Sequence, residues 1–401
     1  MGHLRLSTAG ESHGPAEVCI IDGVPAGLPL SREDIDADLS RRQQGYGRGG
    51  RMLIETDRCR FLAGVRLGKT LGTPICILVE NRDHANWTET MGVEEPESDP
   101  PAAALTVPRP GHADLAGAAK FAQDDLRNVL ERASARETVG RVAGGAVAKR
   151  LLLEAGVHVQ GRVLSVGSVS SISRVDFADP ASVDWTAVER SSFGCDDERA
   201  DARMREEVDT AREAGESLGG VFEIWCWGLC PGLGGFNQPG DRLDGRLLGA
   251  VASIPAIKGV EVGEAFAGAK LSGSKVHDHI VLLEQEDSAC VGRPTNRCAG
   301  TEGGISNGMP LVIRAAMKPI PTLTRPLPSV DLRTMTAVAA HVERSDVSAV
   351  TAARVVGEAM VALVVADAYL DKFGGDHIAD FRQAVAAYEK RLGEKGLWRR
   401  S

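Results

Sequence analysis

Histidine can move a proton, serine can attack an electrophile and arginine can hold an anion, and in this chain such side chains gather in short blocks. The first block is GESHG, Gly10 to Gly14, which matches the G-x-S-x-G pattern of a hydrolase nucleophile elbow. An elbow needs a strand leading into a sharp turn and a helix on an already built sheet, with an oxyanion-hole segment such as HGGG elsewhere. Only Leu4 and Leu6 precede this one, no HGGG occurs, and a second match, GISNG from Gly304 to Gly308, follows a glycine-rich loop. Ser12 is therefore a poor nucleophile candidate, and His13 becomes the residue of interest. The residues alone leave it two readings: a proton donor working near neutral pH, or an imidazole satisfied by backbone.

Arginine supplies the next blocks. RRQQGYGRGGR, Arg41 to Arg51, carries four arginines and no acid. Its GYGRGG fits G-x-G-x-x-G, but a dinucleotide fingerprint requires a strand before it and a helix after it, whereas a helical pattern precedes this one and an arginine sits inside the loop. Phosphate or carboxylate suits it better, since glycines let backbone N–H groups approach while guanidinium forks bind anions in pairs. In RPGHADL, Arg109 to Leu115, Pro110 and Gly111 bend the chain and His112 falls just ahead of a helix start, where a bound anion is favoured. ERASARET, Glu131 to Thr138, sets Arg132 and Arg136 four residues apart with the small residues Ala133, Ser134 and Ala135 between them, room for a flat ligand. Later come GGISNGMP from Gly303, KPIPTL from Lys318, and ERSDVSAV, in which Arg344 and Asp346 stand together; Asp346 reads either as a helix N-cap or as a proton acceptor.

Bulk properties make these clusters informative. The chain has 401 residues and a net charge of −9, so its average field repels nucleic acid and anionic membranes, and any bound anion must be held locally. Aromatic residues at 4% also weigh against RNA binding through GRGGR. The eight cysteines are scattered without a CxxC pair, which suggests buried free thiols, and His277-Asp278-His279 reads as a solvated turn rather than a metal site. No signal peptide pattern or membrane span stands out, which suggests a cytoplasmic protein.

The elements that must position these blocks read as α+β. Strands are expected at His3 to Thr8 and Ala16 to Asp22, then a helix from Ser31, where Asp34 makes a near capping box, to Arg42. A meander follows from Met52 to Glu80 and a long polar loop over 81–111. Asp114 to Ala155 reads as helical, interrupted near Gly140 to Gly145, before a strand over Val157 to Val169 and an exposed, arginine-studded tract over 173–216. GESLGGVFEIWCWGLCPGL, Gly215 to Leu233, then resembles Gly10 to Leu28 with one insertion and one deletion, and a helical segment follows each copy. Two related halves, starting near 10 and 215, are expected within a single domain spanning 1–401. Leu218 replaces His13 in the second copy, which favours a structural turn and a chemical histidine.

In order, GESHG, RRQQGYGRGGRM, RPGHADL, ERASARETVGRVAGG, IPAIKGVEVG, GGISNGMP, KPIPTL and RSDVSAV resemble the chorismate synthase family over almost the whole length. The resemblance implies a lyase that converts 5-enolpyruvylshikimate-3-phosphate to chorismate and phosphate with reduced FMN and no net redox change. It implies an internally duplicated β-α-β sandwich assembled as a homotetramer. By resemblance Arg42, Arg48, Arg51, Arg109 and Arg136 hold the substrate, and Arg42 and Arg48 also match NADPH positions. FMN falls to Arg132, Ala133, Ser134, Pro255, Ala256, Gly303, Lys318, Pro319, Ile320, Pro321, Thr322 and Arg344. His13 resembles the acid that protonates the departing phosphate, His112 the one that protonates reduced flavin, and Asp346 the group that helps remove the substrate proton. NADPH reduction by the chain itself and an external flavin reductase both stay open. A flavin oxidoreductase acting on another anion is the competing reading, and a nucleic-acid module the third.

Overall fold

β1 (Arg5–Ala9) and β2 (Ala16–Asp22) pair antiparallel with Ala9 opposite Val18, so GESHG is the connection of a hairpin. A nucleophile elbow would join a strand to a helix, which rules out that role for Ser12. The computed structural model describes residues 4–49, 56–94, 103–285, 288–343 and 345–400; Arg51 and Arg344 lie outside the described residues. β3 (Cys59–Ala63) and β4 (Ile75–Glu80) complete the first sheet in the order β1-β2-β4-β3. Period-two burial aims Glu17, Cys19 and Ile21 of β2 and Ile75, Ile77 and Val79 of β4 at the core.

The second sheet repeats this plan. β5 (His158–Val166), β6 (Gly220–Trp227), β7 (Ile257–Val262) and β8 (Leu311–Met317) pair antiparallel in the order β5-β6-β8-β7, with the short strand Val169–Ser170 beyond β5. In each half the first strand pairs with the second, the second with the fourth and the fourth with the third. α1 (Arg32–Gln43) lies between the second and third strands of the first half, and α6 (Leu243–Ala252) holds the same place in the second. Aligned without a gap, the GES repeat differs at its opening glycines, with φ 129° at Gly10 in the hairpin and 73° at Gly215 at the end of a helix. Its closing glycines fall in register with similar backbone, φ 81° at Gly27 and 93° at Gly232. Side chains are excluded there twice over, since a Cβ at Gly27 would stand 2.4 Å from His377 and one at Gly232 2.5 Å from Tyr388.

A helical layer separates the sheets. α2 (Asp114–Phe121), α3 (Arg127–Ala133) and α4 (Thr138–Leu153) follow the first sheet, α5 (Glu198–Ala214) precedes β6, and α7 (Val350–Phe373) and α8 (Ile378–Glu394) close the chain. α4 and α7 are buried nearly all round, as helices covered on both faces must be. Contrary to expectation, Gly140 to Gly145 do not interrupt α4; the helical run breaks instead at Ala122, in left-handed conformation, and at Ser134, which is extended. Those glycines are packing contacts. Gly144 lies under Leu6, and a Cβ at Gly145 would stand 2.2 Å from Ala359 Cβ where α4 crosses α7. Gly145→Ala is expected to cost about 1–3 kcal/mol by overpacking, read as a lower thermal midpoint.

Ser31 and Asp34 do form the full capping box of α1. At its other end Arg41 and Arg42 part company. Arg41 turns to buried Glu358 of α7 at 2.7 Å, where Lys149 of α4 also arrives at 2.7 Å. Burial alone would raise the Glu358 carboxyl, yet Arg41 and Lys149 hold it well below the usual carboxylate range. That hub locks three helices together and leaves Arg42 for the opposite side.

Candidate active site

His13 is held by a carboxylate rather than by backbone alone. Its Nδ1 lies 2.9 Å from both oxygens of buried Glu131 on α3, its backbone N–H donates to Glu131 Oε2 at 2.9 Å, and its ring stacks on Trp87 with centroids 3.9 Å apart. With Nδ1 donating to Glu131, Nε2 becomes the nitrogen that exchanges a proton. Ser12 is buried beside it; its backbone N–H donates to Glu131 O, and its Oγ accepts from Ser134 Oγ at 3.3 Å. Arg132 donates to Gly10 O, Thr8 O and Thr8 Oγ1, tying α3 to the first hairpin. One turn thus gathers His13, Arg132, Ala133 and Ser134.

Ser134 leads directly into the arginine cluster by capping Arg136 N–H. Arg136 donates to Asp57 Oδ1 at 2.7 Å and Asn81 Oδ1 at 2.8 Å. Arg42 reaches the other oxygen of Asp57 at 3.4 Å and donates to Thr138 Oγ1 and Ala135 O. Burial lowers Arg42 to about 10; Asp57 works against that, and Arg136 and Arg48 with it. Two buried arginines thus share the one carboxylate of Asp57, and guanidinium groups set side by side in this way can hold phosphate or carboxylate.

A third group forms around Asp114, the buried first residue of α2. His112 Nδ1 lies 2.5 Å from its Oδ1, Arg109 Nε donates to Oδ2 at 2.9 Å, and the Arg109 N–H donates to Oδ2 at 3.0 Å. Burial would raise this carboxyl, but hydrogen bonds from His112 and Arg109 win and hold it well below the ordinary range. Arg109 also donates to Thr322 Oγ1 and Glu343, each at 3.2 Å. Lys318 donates to Gly111 O, and its own N–H to Ala256 O. Burial, with Lys258 nearby, pulls the Lys318 ammonium down. Gly111, Lys318, Pro319, Ile320 and Pro321 line an open cleft of about 250 Å³. Asp346 is not an N-cap: Ala349 holds that place on α7, while Asp346 accepts from Gly49 N–H at 2.6 Å and pairs with Arg48 at 3.1 Å.

Gly303 stands apart. Its hairpin meets the start of α6, where Leu243 N–H donates to Gly304 O, whereas Pro255 and Ala256 follow the end of that helix. Ten residues of helix separate the two by about 15 Å. A larger cleft of about 400 Å³, lined by Leu4, Leu6, Arg141, Arg246 and Met360 among others, contains none of the candidate residues. No group of three metal-ligating side chains occurs among the described residues, and no helix there is long and apolar enough to cross a membrane.

Comparison with known proteins fits this arrangement. The family model for chorismate synthase matches residues 4–370. The chain belongs to the chorismate synthase family. It is 53% identical over 388 residues to the chorismate synthase of Rubrobacter xylanophilus and 49% identical over 391 residues to that of Aquifex aeolicus, covering 97% of each of those proteins and 97% and 96% of itself. A solved chorismate synthase structure superposes with a TM-score of 0.79 at 40% identity, covering 98% of both chains. The α+β chorismate synthase fold and the enzyme's identity as a chorismate synthase follow. The acids of this candidate site, Asp57, Asp114, Glu131 and Glu343, escaped the sequence reading. Asp114 and Glu131 lie inside quoted motifs, and burying arginine in an acidic protein demands buried acids, so the signal was available.

Proposed function

We propose that this chain converts 5-enolpyruvylshikimate-3-phosphate to chorismate and phosphate by 1,4-anti elimination, a carbon–oxygen lyase reaction and the last common step of the shikimate pathway. The observation that carries the reading is a pair of imidazoles, His13 and His112, each tied through Nδ1 to a buried carboxylate next to buried arginines. Two carboxylates and a phosphate on the substrate call for such a cation-rich site. Arg42, Arg48, Arg109 and Arg136 hold and orient it. His13 gives its Nε2 proton to the leaving phosphate oxygen as the C–O bond breaks, and Asp346 accepts the proton lost from carbon.

The residues also suit FMN. Arg132 and Ser134, and separately Lys318 beside an open cleft, offer donors for a phosphate and space for a flat ring. Reduced FMN, when bound, supplies electron density to the elimination and recovers it, so the reaction has no net redox change. His112 holds a proton where it balances negative charge on the bound ring. Gly303, at the far end of α6, is in place to meet another part of the same ligand or a ligand shared with a second copy in the proposed tetramer. Anaerobic assay with chemically reduced FMN is expected to release phosphate and form chorismate, and oxidised FMN alone to give none. Adding NADPH to oxidised FMN then separates a chain that reduces its own flavin from one served by an external reductase.

A further inference from the structure

β2 carries one inward side chain that the chemistry above leaves unused. Strand positions facing a helix are ordinarily apolar, and Cys19 and Ile21 obey. Glu17 does not. It is 1% exposed, and neither carboxylate oxygen has a hydrogen-bond partner among the described residues. Its nearest cation is Arg132 of α3 at 3.7 Å, too long for a hydrogen bond. Arg136 and Glu137 face it from the turn before α4 and Arg42 from α1, and Asp57 pairs with both Arg42 and Arg136. On its sheet the neighbours are Val79 of β4 and, beyond, Cys59 of β3, a thiol that burial pushes up to about 12. Gly10 closes the space above; a Cβ there would stand 2.6 Å from Glu17 Oε2. Burial raises the Glu17 carboxyl to about 7, while Arg136, Arg132 and Arg42 pull it down.

Those three arginines are the groups proposed above to hold anions. Free of ligand, their charge favours the ionised carboxylate; with an anion on them that field is cancelled, and an unsolvated carboxylate is left facing net negative charge. We propose that Glu17 is the proton store of the anion site: when a phosphate or carboxylate settles on Arg132, Arg136 and Arg42, Glu17 takes a proton from solvent, so anion binding and protonation of the chain are coupled. The proposal rests on these arginines holding an anion and not on which anion it is. No bond beyond O–H forms, and the proton comes from bulk water.

Inorganic sulfate, a dianion throughout the neutral range, is the probe. Titrated into the weakly buffered full chain near pH 7, where a carboxyl at about 7 is already half protonated, it is expected to draw up to about half a proton per chain, rising toward about one near pH 8, and its affinity to fall by at most about tenfold per pH unit above that. Glu17→Gln is expected to take up none and to bind sulfate with a flat pH profile. Uptake that persists in Glu17→Gln assigns the proton to His13 or His112 and overturns the proposal, as does wild-type protein that ignores sulfate. Folding offers a second readout. Because the folded pKa lies above the unfolded one, stability is full below about 4.5 and is lost as pH rises through about 7. Without sulfate, Glu17→Gln is therefore expected to melt with wild type near pH 5 and above it near pH 8.5; an equal or lower midpoint near pH 8.5 contradicts the assignment. Sulfate coupling without turnover of 5-enolpyruvylshikimate-3-phosphate would defeat the proposed reaction and leave Glu17's role standing.

Discussion

His13→Ala is expected to lower turnover by about 10²- to 10⁴-fold, the usual contribution of a positioned acid, with the fold retained. The ring is anchored at Nδ1 by Glu131 and braced by Trp87, an arrangement that fixes which nitrogen carries the exchangeable proton. The turn itself is held by backbone bonds that alanine keeps, Ser12 N–H to Glu131 O and Gly14 N–H to Glu11 O. Anion contacts come from arginines, so FMN and substrate binding are expected to survive, checked by flavin titration beside steady-state kinetics. Ser12→Ala should lose activity only partly, through the Ser134 contact. Near-normal turnover in His13→Ala, or joint loss of ligands and fold, would return His13 to a structural role.

The second large effect is on stability. Arg136→Ala is expected to cost about 3–5 kcal/mol, because it strands a buried acid. Among the described residues Asp57, whose side chain is 0% exposed, would keep only Arg42 at 3.4 Å as an ionic partner, and Asn81 Oδ1 would lose the Arg136 donor. Arg48→Ala separates binding from folding. Among the described residues its partner Asp346 is 23% exposed and also accepts from Gly49, so less is stranded than at Asp57 and the loss in folding free energy should be smaller than in Arg136→Ala. Substrate affinity should nevertheless fall by about 1.5–3 kcal/mol, the worth of a charged hydrogen bond. Denaturant unfolding and calorimetry on the two variants check both numbers; unchanged affinity in Arg48→Ala removes that residue from the substrate site.

Local signals proved the most legible. Ser31 with Asp34 announces the start of α1, and alternation in AEVCIID marks β2, because a cap and a period of two are decided within a few residues. Long-range packing was not. Gly140, Gly144 and Gly145 look like helix breakers in sequence, and only the arrival of Leu6 and Ala359 explains them. The GES repeat showed duplication at its glycine turns, but each structural half starts a strand earlier, at β1 and β5, where no sequence likeness helps.

The site divides the same way. Arginines and histidines announced it as clusters, while their counterions sit singly: Asp57 follows the arginine loop, and Glu131 begins a motif read for its arginines. Gly303 and Pro255 were read into one site from sequence, and the structure sets them at opposite ends of α6, a helix about 15 Å long. Glu17 offered no pattern at all. One acid in an alternating strand is unremarkable until both oxygens are seen without a hydrogen-bond partner among the described residues.

Flavin absorbance followed during anaerobic turnover tests the central claim most directly. With reduced FMN and 5-enolpyruvylshikimate-3-phosphate, phosphate and chorismate should appear in equal amounts while the flavin ends each turnover still reduced. Flavin oxidised in step with product, or equal turnover starting from oxidised flavin, would contradict the elimination and point to an oxidoreductase using the same arginines.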